Sequence, residues 1–209
     1  MATLYIITGP NGAGKSTAGP GLLPDLIRDQ YPPFDGDKLM MRKQIEFKKQ
    51  SGSYKEARNL ANEFVFKEFE RLYTHALDND EHFSYEGHFS EPESWYLIEK
   101  FKQNGYRTEM IFLGLKSLQL SMDRVLHRAK KGGHNVQPYD IEKNFYGNLM
   151  ELNRHLPLLD QLTLLDTSGV IPIYIGQWIN GTMHFHLTGN AVPLWVSNHL
   201  TGLFPADQL

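Results

Sequence analysis

The run Gly9-Pro-Asn-Gly-Ala-Gly-Lys-Ser-Thr17 limits what this chain can be more than any other stretch. It fits G-x-x-x-x-G-K-[ST] at every defined position, through Gly9, Gly14, Lys15 and Ser16. Leu4-Tyr5-Ile6-Ile7, just before it, is apolar and β-rich and reads as a buried strand. Strand, glycine loop and helix, in that order, make a phosphate cradle. Glycine lets successive N–H groups turn inward and lets the backbone approach an anion closely. A helix N-terminus adds partial positive charge. Gly9, Pro10, Asn11, Gly12, Ala13, Gly14, Lys15, Ser16 and Thr17 are therefore the candidate nucleotide-binding residues. In such a loop Lys15 reaches the β- and γ-phosphates of ATP, and Ser16 offers its hydroxyl to Mg²⁺.

Beyond the loop the chain alternates between strand and helix patterns. Ala18-Gly19-Pro20-Gly21 and Pro24 break the first helix, because glycine and proline cost about 1 and 3 kcal/mol inside one. An extended stretch ends at Phe34-Asp35-Gly36-Asp37, and a helix to about Lys49 comes next. The longest helix runs from about Tyr54 to Leu77, with Ala57, Leu60, Ala61, Phe64, Val65, Phe69, Leu72 and Ala76 as its apolar stripe. His82 to Gly87, Thr108 to Leu115 and Leu162 to Asp166 read as further strands. Ser90 with Glu93 reads as a capping box for one helix and Ser117 as the cap of the next, whose buried face is Leu118, Met122, Val125, Leu126 and Ala129. A helix from about Pro138 to Leu156 carries the stripe Ile141, Phe145, Leu149, Leu152. Asn180-Gly181 between two alternating runs is a hairpin signal. Leu194-Trp195-Val196 is expected to pack back onto the body.

This order predicts one α/β domain over 1–209, a three-layer α/β/α P-loop NTPase fold. It has a mostly parallel five-stranded sheet, with a C-terminal hairpin and tail over 170–209 that extends the sheet edge. Ligands of such sheets bind at the carboxyl ends of the strands, which gathers the P-loop, Asp37 and Glu86 on one edge.

Composition narrows the function. The net charge of −3 argues against nucleic-acid binding through bulk electrostatics. The chain has no cysteine, so thiolate chemistry and disulfides are excluded. No apolar run approaches the ~18 residues of a membrane span, and no secretory signal is legible, so the expected location is cytoplasmic.

Phosphoryl transfer needs a cradle, Mg²⁺, positive charge on the moving group, and something to orient the acceptor. Asp37 is the best candidate for the last task, since its carboxylate can take a proton from a hydroxyl. Its alternative role is to cap the adjoining helix; Asp35 reads as structural. Glu86 ends a strand and can organise Mg²⁺ through water or hold substrate. His88 and Ser90 come next on the same loop and can face an acceptor or plain solvent. Arg124 and Arg128 share a helix face and lead into Lys130-Lys131-Gly132-Gly133-His134, so residues 124–138 read as a lid whose arginines close on the γ-phosphate. His184 and His186 share a strand face, where an exposed hairpin surface is the ordinary explanation.

On these residues the chain resembles zeta-toxin-like P-loop kinases. The resemblance rests on Gly9 to Thr17, Phe34-Asp35-Gly36-Asp37, Tyr85-Glu86-Gly87 and Arg124-Val-Leu-His-Arg128 through Gly132-Gly133-His134, with Asn148-Leu149, Leu156-Pro157-Leu158, Asp166-Thr167-Ser168-Gly169 and Pro193-Leu194-Trp195 trailing. It implies an ATP-dependent kinase. Zeta toxins phosphorylate the 3′-hydroxyl of the sugar in UDP-N-acetylglucosamine. The resemblance puts Asp37 at the catalytic base, Glu86 at the substrate-holding acid, and Arg124 or Arg128 at the arginine that stabilises the transferring phosphate. The chain departs from the toxins in reading Glu86-Gly87-His88 where they carry Thr after the acid or after the glycine. The implied partners are a small-molecule hydroxyl substrate, with a nucleotide sugar among the candidates, and an antitoxin, which the residues themselves do not indicate. A nucleotide-dependent regulatory ATPase without an acceptor is the alternative.

Overall fold

The computed structural model describes residues 1–131 and 136–204. One seven-stranded sheet runs through the molecule in the order β2-β3-β1-β4-β5-β6-β7. The first five are parallel: β1 (Thr3–Thr8), β2 (Phe34–Asp35), β3 (Phe83–Glu86), β4 (Arg107–Gly114) and β5 (Gln161–Asp166). β6 (Ile173–Ile179) adds antiparallel to β5, and β7 (Thr182–Phe185) adds antiparallel to β6. The sheet thus has seven strands where five were expected, because the C-terminal hairpin joins the same hydrogen-bonded ladder. Its turn is the one the sequence signals: Asn180 and Gly181 both take positive φ, 47° and 90°, which matches the twist of paired strands.

The central strands are the most apolar, as expected for strands covered on both faces. Leu4, Ile6, Met110, Phe112, Leu162 and Leu164 are all buried. The helices that cover them are α5 (Pro92–Gln103), α6 (Leu118–Lys130) and α7 (Pro138–His155). All four residues of the α7 stripe are buried. At the end of β4, Trp195 of α8 (Leu194–His199) lies against Gly114, where a Cβ would come within 2.1 Å of its ring. The Trp195 indole N–H donates to Asp166 at 2.8 Å. The tail therefore packs on the body, as its sequence suggests.

α3 (Gly36–Ser51) and α4 (Tyr54–Asp78) pair as a long helical hairpin on the β2 side of the sheet. Only Ala57, Ala61 and Ala76 of α4 are buried, and Leu60 from its predicted stripe is exposed. A hairpin packed mainly on itself cannot cover a full stripe. Two more local expectations fail. Leu126 is exposed, because α6 buries Ser121 and Val125 instead. Ser90 does not cap α5: the capping position is Glu91, and the Ser90 hydroxyl donates to Asn144 on α7 instead. The Ser117 cap does form, accepting from the Leu120 N–H at 3.3 Å. The helix after the P-loop is as short as its glycines and prolines imply. α1 (Lys15–Ala18) gives way to a single 3-10 turn and then α2 (Asp25–Gln30).

Candidate active site

The P-loop leaves β1 at Thr8 and presses against the neighbouring strand. Gly9 takes φ 138°, and a Cβ there would come within 2.2 Å of the Leu113 carbonyl oxygen. No other residue type fits this contact. Gly14, also at positive φ, has open space above it. Because α1 is only four residues long, the anion-binding capacity rests on the loop's own N–H groups and cations more than on a helix dipole.

The cations are arranged unequally. The Lys15 ammonium donates to the Gly9 and Pro10 carbonyls at 2.8 and 3.2 Å, so it is held over the loop. Burial pushes it down to about 8, partly offset by Glu86 and Asp37. Arg124 spends its guanidinium on backbone: one nitrogen donates to Gly12 at 3.2 Å, the other to Ser168 and Gly169 at 3.0 and 3.1 Å. It staples the P-loop to the loop after β5. Arg128, one turn on, lines the same cavity and is near enough to lower the proton affinity of both Lys15 and His88. Gly132, Gly133 and His134 of the expected lid lie outside the described residues.

The carboxylates also divide. Asp35 caps α3, accepting from the Lys38 N–H at 2.9 Å, which is worth about 1 kcal/mol. Asp37 is thereby released from capping, and it sits exposed at the cavity wall. Glu86 is buried at the end of β3, beside Ile7 of β1, and accepts from the Ser16 hydroxyl at 2.5 Å. Burial holds the Glu86 carboxyl above its ordinary range, opposed by the Ser16 hydrogen bond.

Two cavities meet here. The first, 410 Å³, is lined by the P-loop with Lys15, Ser16 and Thr17, and by Asp37, Glu86, Arg124 and Arg128. The second, 310 Å³, is lined by Ser90, Glu91, Val136, Asp140, Lys143 and Asn144. Asn11, Asp37 and His88 belong to both. The sequence-predicted residues are thus brought together on one sheet edge. A larger cavity of 830 Å³ beside α8 is lined by Phe185, Leu187, Val192 and Phe204 among others, with no titratable side chain among the described lining residues.

A polar network beneath the cavities joins three distant segments. Asn148, fully buried on α7, accepts from the Thr8 hydroxyl at 3.0 Å and from the Phe89 N–H at 2.9 Å. Asn144 donates to the Asn11 side chain at 2.9 Å, and Ser121 donates to the Asn11 carbonyl at 2.6 Å. His88 sits within this network, its ring 3.3 Å from the Asn11 amide nitrogen, 3.4 Å from Lys15 and 3.4 Å from the Asn148 amide nitrogen. A neutral imidazole can accept at one nitrogen, a protonated one at neither. Burial first, then Lys15 and Arg128, hold His88 well below its ordinary value, so it is neutral near pH 7.

Nothing in the sequence marks Asn144 as a site residue. Asn148 is legible in part: it falls on the apolar stripe of α7 between Phe145 and Leu152, and a polar residue there needs a buried partner. Asn148→Ala is expected to cost about 2–4 kcal/mol, since the Thr8 hydroxyl and Phe89 N–H are left without an acceptor. The melting temperature should drop by about 5–15 °C, measurable by calorimetry.

His88 makes a pH prediction. Its folded proton affinity is depressed, so the unfolded chain takes up the proton first as pH falls below about 6.5. The stability this group contributes is present above that pH and is lost below it. Melting curves between about pH 7.5 and 5 should therefore show a steeper loss in the wild type than in His88→Gln. Parallel pH dependence in the two would overturn this.

The model of the zeta toxin family matches residues 2–174. The chain belongs to the zeta toxin family. No curated protein sequence matches it. Solved structures match its fold at low identity. AvrRxo1-ORF1 with AvrRxo1-ORF2 and ATP superposes with a TM-score of 0.66 at 16% identity, covering 99% of this chain and 65% of that one. The chain therefore spans just under two thirds of that relative's length. The PezAT chromosomal toxin–antitoxin system of Streptococcus pneumoniae gives 0.58 at 14% identity, over 99% of this chain and 81% of that one. A chain assigned provisionally as a kinase from Chloroflexus aurantiacus gives 0.55 at 18%, over 97% and 98%. These likenesses are to the fold, a P-loop kinase-like α/β sheet with antiparallel strands at its C-terminal edge. No described helix is long and apolar enough to cross a membrane.

Proposed function

We propose that this zeta toxin family member is an ATP-dependent kinase that transfers the γ-phosphate to a hydroxyl of a small molecule. The observation that carries the reading is the position of Asp37, exposed on the wall shared by the phosphate cradle and the second cavity. A triphosphate on the P-loop would present its terminal phosphate toward that wall, and an acceptor in the second cavity would meet it there. Asp37 takes the hydroxyl proton as the acceptor oxygen bonds to the γ-phosphorus and the bond to the β-phosphate bridge breaks. The products are a phosphomonoester and ADP.

Lys15 leaves the Gly9 and Pro10 carbonyls to pair with phosphate, which repays its buried charge. Arg128 faces the transferring group; Arg124 keeps the P-loop in shape through its three carbonyl contacts. His88, neutral and wedged between Asn11 and Asn148, holds the loop after β3 against the cradle. The donor set at Ser16 and Glu86, a hydroxyl and a carboxylate with Asp35 and Asp37 near, suits a hard cation that otherwise takes water and phosphate oxygens. Ser16 and Glu86 would hold Mg²⁺, which supplies charge neutralisation on the phosphates when bound. Glu86 lines the phosphate cavity and not the second one, so this reading moves it from substrate holder to the cation's neighbourhood.

ATP labelled at the γ-position tests the proposal against hydroxyl compounds of several classes. Label in an organic phosphomonoester supports it. Label found only in ATP or free phosphate, with ATP binding intact, favours a regulatory ATPase.

A further inference from the structure

Building on that kinase reading, we infer that the second cavity selects a phosphate-free polyhydroxyl acceptor, a sugar or polyol, and favours one that bears an amino group. Charge carries the inference. Around the phosphate cavity stand Lys15, Lys38, Arg124 and Arg128. Around the second cavity the described lining has three carboxylates, Asp37, Glu91 and Asp140, against one cation, Lys143. Lys143 is already in an ion pair with Glu91. Nothing in the described lining is left to neutralise a second phosphate group, whereas a cation would find the Asp37 and Asp140 carboxylates.

The neutral lining points the same way. Asn11, Ser90 and Asn144 supply amide and hydroxyl groups, the hydrogen-bonding partners of sugar and polyol hydroxyls. Ser90 and Asn11 are both nine-tenths buried and are held by Asn144, so these groups are fixed in place. The volume of 310 Å³ lies at the small end of ligand cavities. That suits a single sugar ring better than a ring joined to a nucleoside diphosphate. Each like-charge contact with a carboxylate at this half-open site would weaken an anionic acceptor by about tenfold. The transfer itself balances as in the kinase step: the acceptor hydroxyl gains the phosphoryl group, its proton passes to Asp37, and ADP leaves.

The full-length chain with γ-labelled ATP and Mg²⁺ is to be assayed on a hexose, the matching amino sugar, a polyol, a sugar nucleotide and a nucleoside monophosphate. Expected is labelled phosphomonoester from the first three, with the amino sugar showing a KM roughly tenfold or more below that of the sugar nucleotide. Asp140→Lys, a change at an exposed position, should raise KM for the amino sugar by about tenfold and lower it for the sugar nucleotide, with the KM for ATP unchanged. A sugar nucleotide as the best acceptor, or an acceptor preference indifferent to Asp140→Lys, overturns the inference and leaves the kinase reading standing. No labelled organic product from any class, with ATP bound, overturns the kinase reading and the inference with it.

Discussion

Asp37→Asn is expected to lower phosphoryl transfer by about 10³-fold, the loss usual when a positioned general base is removed, while ATP binds as well as before or slightly better. The physical reason lies in the division of labour between Asp35 and Asp37. Asp35 accepts the Lys38 N–H and starts α3. Asp37, two residues on, contributes no cap, so its replacement should cost the fold little. It is exposed, isosteric with asparagine, and carries a negative charge beside a cavity suited to a triphosphate. Removing that charge relieves repulsion toward ATP and removes the only feature that distinguishes a base from a hydrogen-bonding amide. Titration calorimetry with ATP and the label-transfer assay, run on the same preparation, separate the two effects. Retained transfer in Asp37→Asn would rule out its role as the base. Lost ATP binding would show that its carboxylate serves the cradle instead.

Lys15→Met should do the reverse and should also stabilise the empty protein. Lys15 is charged below about pH 8, and its ammonium is enclosed by the Gly9 and Pro10 carbonyls with only partial repayment from Glu86 and Asp37. Replacing this half-buried charge, whose proton affinity burial depresses, with an apolar side chain of similar length should stabilise the empty protein by about 1–2 kcal/mol. The same substitution removes the cation that would meet the phosphates, and ATP affinity should fall by about 10–100-fold, the worth of a charge-assisted hydrogen bond. In thermal melts the variant should start higher than the wild type. It should then gain little at an ATP concentration that lifts the wild type by several degrees, because stabilisation by a ligand scales with its occupancy. A variant that melts lower and still responds to ATP would place the phosphate contact elsewhere.

The two substitutions are expected to separate because two cavities with different charged linings meet at Asp37. The P-loop cavity is built from backbone donors and Lys15 close to the start of the chain, with Lys38 of α3 and Arg124 and Arg128 of α6. The second cavity is lined by Asn11 of the P-loop, Asp37 of α3, the loop after β3, and Val136 with α7. Arg124 shows how residues of one sequence pattern can divide between tasks. Both it and Arg128 lie four apart on α6, as a lid would require, yet the Arg124 guanidinium is held by Gly12, Ser168 and Gly169.

Much was settled by the chain's local pattern. Gly9 to Thr17, the Asn180-Gly181 turn, the Ser117 cap and the α7 stripe are readable in the sequence because each depends on dihedral preference, or on contacts within a few residues. The order of strands and helices likewise comes from periodicity. Tertiary structure alone decided the rest. Whether Asp35 or Asp37 caps α3 turns on a hydrogen bond that either spacing would allow. Ser90 fits a capping box by sequence, and what draws its hydroxyl away is Asn144, on a helix far along the chain. Asn144, Lys143 and Asp140 look like the polar face of any amphipathic helix until α7 is laid against the P-loop. Local rules therefore yield the P-loop, whose glycine backbone and Lys15 lie within one short stretch of chain. The second cavity, the proposed acceptor site, exists only after folding, because segments distant along the chain must meet to line it.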